Sequence, residues 1–305
     1  MIEPIWILLG LLLPCAVAAG SVYLLRMCQS GPAPKGRWLS LVSILGIAIA
    51  VAAGMVSLTG LPPWKPIEGQ HWILMVILPA SLLVAMFGIS GYVPGIVVWP
   101  LRLIIACGMA PLLTRSLVPY TWNKPEATAW WIGIGLWISL FWFLMRLLSK
   151  QGRGQLAVCV LGGVCGILGG ITIASGSLTG GQYAASLAFV LLGVWLVMLL
   201  CRNSATVGPA VVDLAIAPIL GWLIYNWQYG WTMENDVSPY VVAGLLAVAP
   251  LGAWVSCLPA MQKRSKKQQI VAALLATGFL LAIAVGIAGY EAMLRMQEST
   301  DLYGY

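Results

Sequence analysis

GPAVVDLAIAPILGW, residues 208–222, places a single acid, Asp213, inside an otherwise apolar run. The chain has 305 residues and only nine Asp and Glu, so an acid in such a setting is a feature to explain. Hydrophobic residues make up 61% and charged residues 8%. Soluble domains carry about a quarter charged residues. With a mean hydropathy of +0.94, the composition is that of an integral membrane protein.

A spanning helix needs about 20 apolar residues. Reading outward from residues 208–226 on that length, the chain divides into ten expected spans: 5–25, 38–59, 72–89, 98–117, 130–148, 155–174, 183–200, 208–226, 240–258 and 270–291. The expected fold is an all-α polytopic bundle forming one integral membrane unit, 1–305, with no soluble domain. Its first span opens on the acid Glu3 with no basic residue ahead of it, so it reads as a permanent span and not a cleaved leader.

The net charge of +7 would suggest nucleic acid in a soluble protein. Here the cations sort by connection instead. Arg26, Lys35, Arg37, Arg102, Arg146, Lys150, Arg153, Arg202, Lys263, Arg264, Lys266 and Lys267 fall on one class of links. The other class holds Lys65, Arg115, Lys124 and Arg295 with the acids Glu3, Glu68, Glu126, Glu234, Asp236, Glu291, Glu298 and Asp301. Lys and Arg are retained in the cytoplasm, so the first class faces inward and both termini face outward. Trp6, Trp64, Trp72, Trp122, Trp130, Trp131, Trp222, Trp227 and Trp231 then form a belt at the outer interface. Nucleic acid is not an expected partner. The lipid bilayer is, with anionic lipid at Lys263, Arg264, Lys266 and Lys267.

Short strings recur four spans apart. SLTG stands at 57–60 and 177–180, PASLLVAMFG at 79–88 answers AASLAFVLLG at 184–193, and APLL at 110–113 answers APIL at 217–220. Together they suggest a duplicated four-helix unit, 38–148 and 155–258. An even number of helices makes the copies parallel about an axis along the membrane normal.

Asp213 admits three readings. It lies near the start of its span, within reach of headgroups or water; or it pairs with Arg102, which the matched prolines Pro111 and Pro218 place within about four residues, or roughly 6 Å, in depth; or it belongs to a proton or ion relay, for which no second intramembrane acid is at hand. Gly162, Gly166 and Gly170 follow the small-xxx-small spacing of close helix packing. His71 is the only histidine and sits beside Gln70 and Glu68, an interfacial position without a nucleophile to serve. Cys15, Cys107, Cys159, Cys165 and Cys257 fall within spans and Cys28 and Cys201 at their inner ends, with no metal-ligand spacing. No catalytic residue, cofactor or metal is expected.

The segment GLPPWKP, residues 60–66, with the helix pattern around it, resembles uncharacterised multi-spanning membrane proteins of bacteria. That resemblance implies a bacterial cytoplasmic membrane and no particular activity. The functional expectation is a scaffold or subunit of a membrane complex, alone or as a homo-oligomer, or a handler of an apolar, lipid-like substrate. Transport of a small solute by way of helices interrupted at Pro14, Pro100, Pro111, Pro218 or Pro250 is the next alternative, and a membrane-embedded enzyme the last.

Overall fold

A computed structural model describes residues 4–29, 36–64, 66, 69–90, 93–115, 118, 123–200, 208–230 and 238–303. Glu3, Lys35, Lys65, Glu68, Trp122, Cys201, Arg202, Trp231, Glu234 and Asp236 lie outside them, as do the side chains of Trp6, Arg26, Cys28, Arg37, Glu298 and Asp301. The described residues are almost all helical and contain no strand. In a bilayer each backbone N–H and C=O must be satisfied internally, and helices do this segment by segment.

In chain order the α-helices are α1 (Pro4–Gln29), α2 (Gly36–Thr59), α3 (Gly69–Trp72), α4 (Leu78–Ser90), α5 (Gly95–Thr114), α6 (Lys124–Leu148), α7 (Gly154–Ala174), α8 (Leu178–Leu200), α9 (Gly208–Tyr225), α10 (Ser238–Val248), α11 (Pro259–Gln262) and α12 (Lys266–Tyr303). Among the described residues, eight helical stretches are long and apolar enough to cross a membrane, and Gly10–Leu24 in α1 is a shorter apolar one. One of the eight runs from Lys124 to Ala174, but Gly152 at φ +79° breaks it into the hairpin α6–α7. A left-handed residue without Cβ strain is what so tight a reversal needs.

Local sequence sets several helix ends. Asn123 Oδ1 accepts from the N–H of Glu126 at 2.9 Å, and Pro125 follows in the first turn of α6. Ser265 and Gln268 form a reciprocal capping box at the start of α12: the Ser265 N–H donates to Gln268 Oε1 at 3.2 Å and the Gln268 N–H donates to Ser265 Oγ at 3.3 Å. Prolines do not interrupt the helices as the sequence allowed, because Pro14, Pro100, Pro111 and Pro218 all lie inside continuous α-helix. Only Pro250 accompanies a change of form. It stands at the start of a 3₁₀ stretch, Ala249–Cys257, so the expected single α-helix over 240–258 is α only as far as Val248.

The core gathers around α9. Helices α2, α4, α5, α6, α7, α8 and α10 all pack against it. Helix α12 lies at the edge, where Gly252 admits the backbone and hydroxyl of Thr277. Helices α7 and α8 form a close hairpin: a Cβ on Gly181 would fall 2.2 Å from Ile173 Cγ1 and 2.8 Å from the Gly169 carbonyl oxygen. Of the three glycines with close-packing spacing, Gly162 and Gly166 face α8, at 3.3 Å from Leu191 Cβ and 3.8 Å from Ala188 Cβ respectively. Nothing lies within 4 Å of the Gly170 Cβ position, and at this level it is Gly169 that meets α8. Steps of four residues drift by about 40° each around a helix, whereas seven residues from Gly162 return to within about 20° of its face.

Candidate functional site: a buried charge cluster

Asp213 stands five residues into α9 and is completely buried. Arg102, on α5, approaches it side-on: Nε donates to Oδ1 at 3.2 Å and Nη2 donates to Oδ2 at 3.1 Å. The indole N–H of Trp142, on α6, donates to Oδ1 at 2.8 Å. Arg146, one turn further along α6, brings Nη1 to Oδ2 as a second ion-pair partner. Trp142 and Arg146 are four residues apart and so share a helix face. Helix α4 contributes Gly88, where a Cβ would lie 3.2 Å from Asp213 Oδ2 and 3.3 Å from Arg146 Nη2. Its lack of a side chain leaves room for the cluster. The Trp99 ring covers Arg102, whose guanidinium carbon is 4.6 Å from the ring centroid.

The structure thus brings Asp213 and Arg102 together and adds three groups that the sequence did not single out: Arg146, Trp142 and Gly88. A carboxylate has about four lone-pair positions. Here Oδ1 accepts from Arg102 and Trp142, and Oδ2 meets Arg102 and Arg146. No acceptor position is left to take up a proton, and no surface is left to reach headgroups or water. Two guanidinium groups against one carboxylate leave one positive charge in excess.

Position along the bundle follows from the helix ends. Asp213 lies roughly 8 Å from the start of α9 and Arg102 roughly 10 Å from the start of α5, while Arg146 is within a turn of the end of α6. These ends coincide with the turn carrying Lys150 and Arg153 and with the start of α12. Arg153 donates to Gln269 Oε1 at 3.0 Å across that gap. Exposed Lys263, Arg264, Lys266 and Lys267 stand at the same end. His71 is at the opposite one, beside α9's last turn, where Gly69 meets Tyr225. Twelve residues of helix, about 18 Å, separate it from Asp213.

Four hydroxyls within the spans are turned back onto their own helices, while those of Ser149, Ser186 and Thr277 are buried without a hydrogen-bond partner. Ser81, Thr114, Ser139 and Thr172 each donate to the carbonyl four residues back, at 2.7 Å. Such back-bonding hides the polar atom within its own helix and lines no aqueous path. Among the described residues no group of three His, Cys, Asp or Glu could hold a metal ion. Cys165 is buried and its thiol donates to the Ala184 carbonyl at 3.1 Å, a packing role.

A second feature lies toward the other end of α9, where Leu220 and Ile224, seven and eleven residues past Asp213, continue the same helix face. A cleft of about 370 Å³ opens between α6, α9 and α10, lined by Trp130, Ile134, Trp137, Leu223, Trp227, Tyr240, Gly244 and Val248 among others. Its lining is almost wholly apolar. At its mouth Trp130, Trp227 and Tyr240 are in mutual ring contact, with centroids 5.3 to 6.4 Å apart.

No protein-family model matches the chain, and no curated protein matches it.

Proposed function

We propose that the protein is a ten-span bundle, two parallel four-helix units (38–148 and 155–258) between a first and a last helix, that receives an apolar, lipid-like chain in the cleft between α6, α9 and α10. The cleft itself carries this reading. Its volume falls in the range of roughly 300–1,000 Å³ of small-molecule sites, which are concave and mostly apolar. It runs the length of α10, eleven residues or roughly 16 Å, about half the ~30 Å hydrocarbon thickness of a bilayer. That is the depth of one leaflet. Aromatic rings at the mouth suit the interface level, where their apolar faces and polar tips are both accommodated.

Orientation follows from the cations. The end carrying Lys150, Arg153, Lys263, Arg264, Lys266 and Lys267 is assigned to the cytoplasm of a bacterial inner membrane, and the aromatic mouth to the outer leaflet. Anionic lipid is the assigned contact of the exposed Lys263, Arg264, Lys266 and Lys267. The saturated Asp213 and the back-bonded hydroxyls of Ser81, Thr114, Ser139 and Thr172 speak against passage of a hydrophilic solute.

Gly244 lines the cleft and has nothing within 4 Å of its Cβ position, so Gly244→Phe can start a bulky side chain into that space. Native mass spectrometry of the detergent-purified protein should find one retained acyl lipid on the wild type and none on this variant. Equal retention by both would end the proposal, and a stoichiometric protein partner in place of lipid would favour a scaffold.

A further inference from the structure

We propose that the seam where α7 and α9 begin is a binding site for a phosphate group. Two helix N-termini meet there. A Cβ on Gly154 would lie 3.0 Å from Gly208 Cα, and one on Gly208 would lie 2.9 Å from Gly154 Cα, so only glycine lets the two first turns touch. Each N-terminus concentrates about half a positive charge, and the first-turn backbone N–H groups of α9 have no partner within their own helix. Bringing two together is unfavourable unless something negative joins them. No side chain caps α7, whose preceding residue is Arg153.

An independent observation points to a ligand. Ser149 is 3% exposed, and its buried hydroxyl has no hydrogen-bond partner. It is aimed into the seam, 3.0 and 3.1 Å from the Cβ positions of Gly154 and Gly208. Orphaned buried hydroxyls are uncommon, because each forfeits the hydrogen bond that water would have given it.

Charge completes the site. Arg146 lies one turn before Ser149, and Arg102 and Arg146 together exceed Asp213 by one positive charge. Lys150 adjoins Ser149 in the chain and is exposed. Arg153 offers a buried Nη1 that donates to nothing, its Nη2 being taken by Gln269. Asp213, with its acceptor positions filled, cannot balance these groups. A phosphate group can: free phosphate brings nearly two negative charges and a headgroup phosphodiester brings one, each with at least two acceptor oxygens for backbone N–H, hydroxyl and cationic donors. The site lies at the opposite end of the bundle from the aromatic-mouthed cleft and does not depend on it. Its phosphate could come from a phospholipid headgroup or from solution.

The test uses the full chain in dodecyl maltoside, a detergent free of phosphate. Melting temperature is followed with added inorganic phosphate or phosphatidylglycerol, against sodium chloride of matched ionic strength. Either ligand should raise Tm by roughly 5 °C at saturation. A response to inorganic phosphate identifies a free anion, and a response to phosphatidylglycerol alone identifies a headgroup. Ser149→Asp puts a carboxylate where the anion would sit and should abolish the response to both. Ser149→Ala, which keeps the fold without adding charge, should raise the ligand concentration required about tenfold. No rise above the salt blank, or variants that respond like the wild type, would overturn the site.

Discussion

Helices α9 and α12 reverse the rule for soluble proteins. The stretch of α9 has 89% of its residues buried and that of α12 only 17%, yet α12 is the most apolar of the spanning stretches and α9 the least. Lipid is as apolar as a protein core, so burial gains nothing for a leucine already surrounded by acyl chains. Packing and polar contacts decide which helix lies inside. Helix α9 carries Asp213, and an acid at that depth is tolerable only with partners, which helices on several sides must supply. Helix α12 carries Leu275 and Phe279, each 68% exposed, and its buried acid, Glu291 near the end of its apolar stretch, is met by the Ser238 hydroxyl of α10.

The sharpest way to break this contrast is Asp213→Ala, which leaves Arg102 and Arg146 buried against each other. Removing one partner from a buried ionic cluster is destabilising by about 3–5 kcal/mol, and thermal unfolding in detergent should register a loss of that size. A change under about 1 kcal/mol would place Asp213 in contact with water. Comparing aromatic truncations on the two helices is the next step. Trp222 is fully buried and stacked on Tyr183 with centroids 4.6 Å apart, so Trp222→Ala should lower stability by about 3–5 kcal/mol. Phe279→Ala should stay within about 0.5 kcal/mol in the same assay. Similar losses from both would mean that a partner covers α12.

Much of the helical layout is legible in the sequence, because an apolar run of spanning length has no alternative to helix in lipid. The interruption near Pro250 is not. Pro14, Pro100, Pro111 and Pro218 are tolerated in continuous helix, so proline alone does not mark the one segment that turns 3₁₀. In the charge cluster, matching Pro111 to Pro218 brings Arg102 and Asp213 to neighbouring depths. Arg146 gives no such signal: two residues from the end of α6, it reads as one more interfacial anchor among Lys150 and Arg153. Trp142 is equally mute, one of fifteen tryptophans. Gly88 has meaning only once α4 is seen to lie against Asp213. Small-residue spacing picks out Gly162 and Gly166, which meet α8, but not Gly169, since counting in fours ignores the drift of a 3.6-residue turn.

Asp213 holds the bundle together through Arg102, and a double-mutant cycle measures that directly. Stability is determined for the wild type, Arg102→Ala, Asp213→Ala and the double variant in one detergent. Contacting residues should couple by at least about 1 kcal/mol, with the double variant less damaged than the sum of the singles. Additivity within about 0.5 kcal/mol would contradict the pairing and leave the central position of α9 without a physical cause.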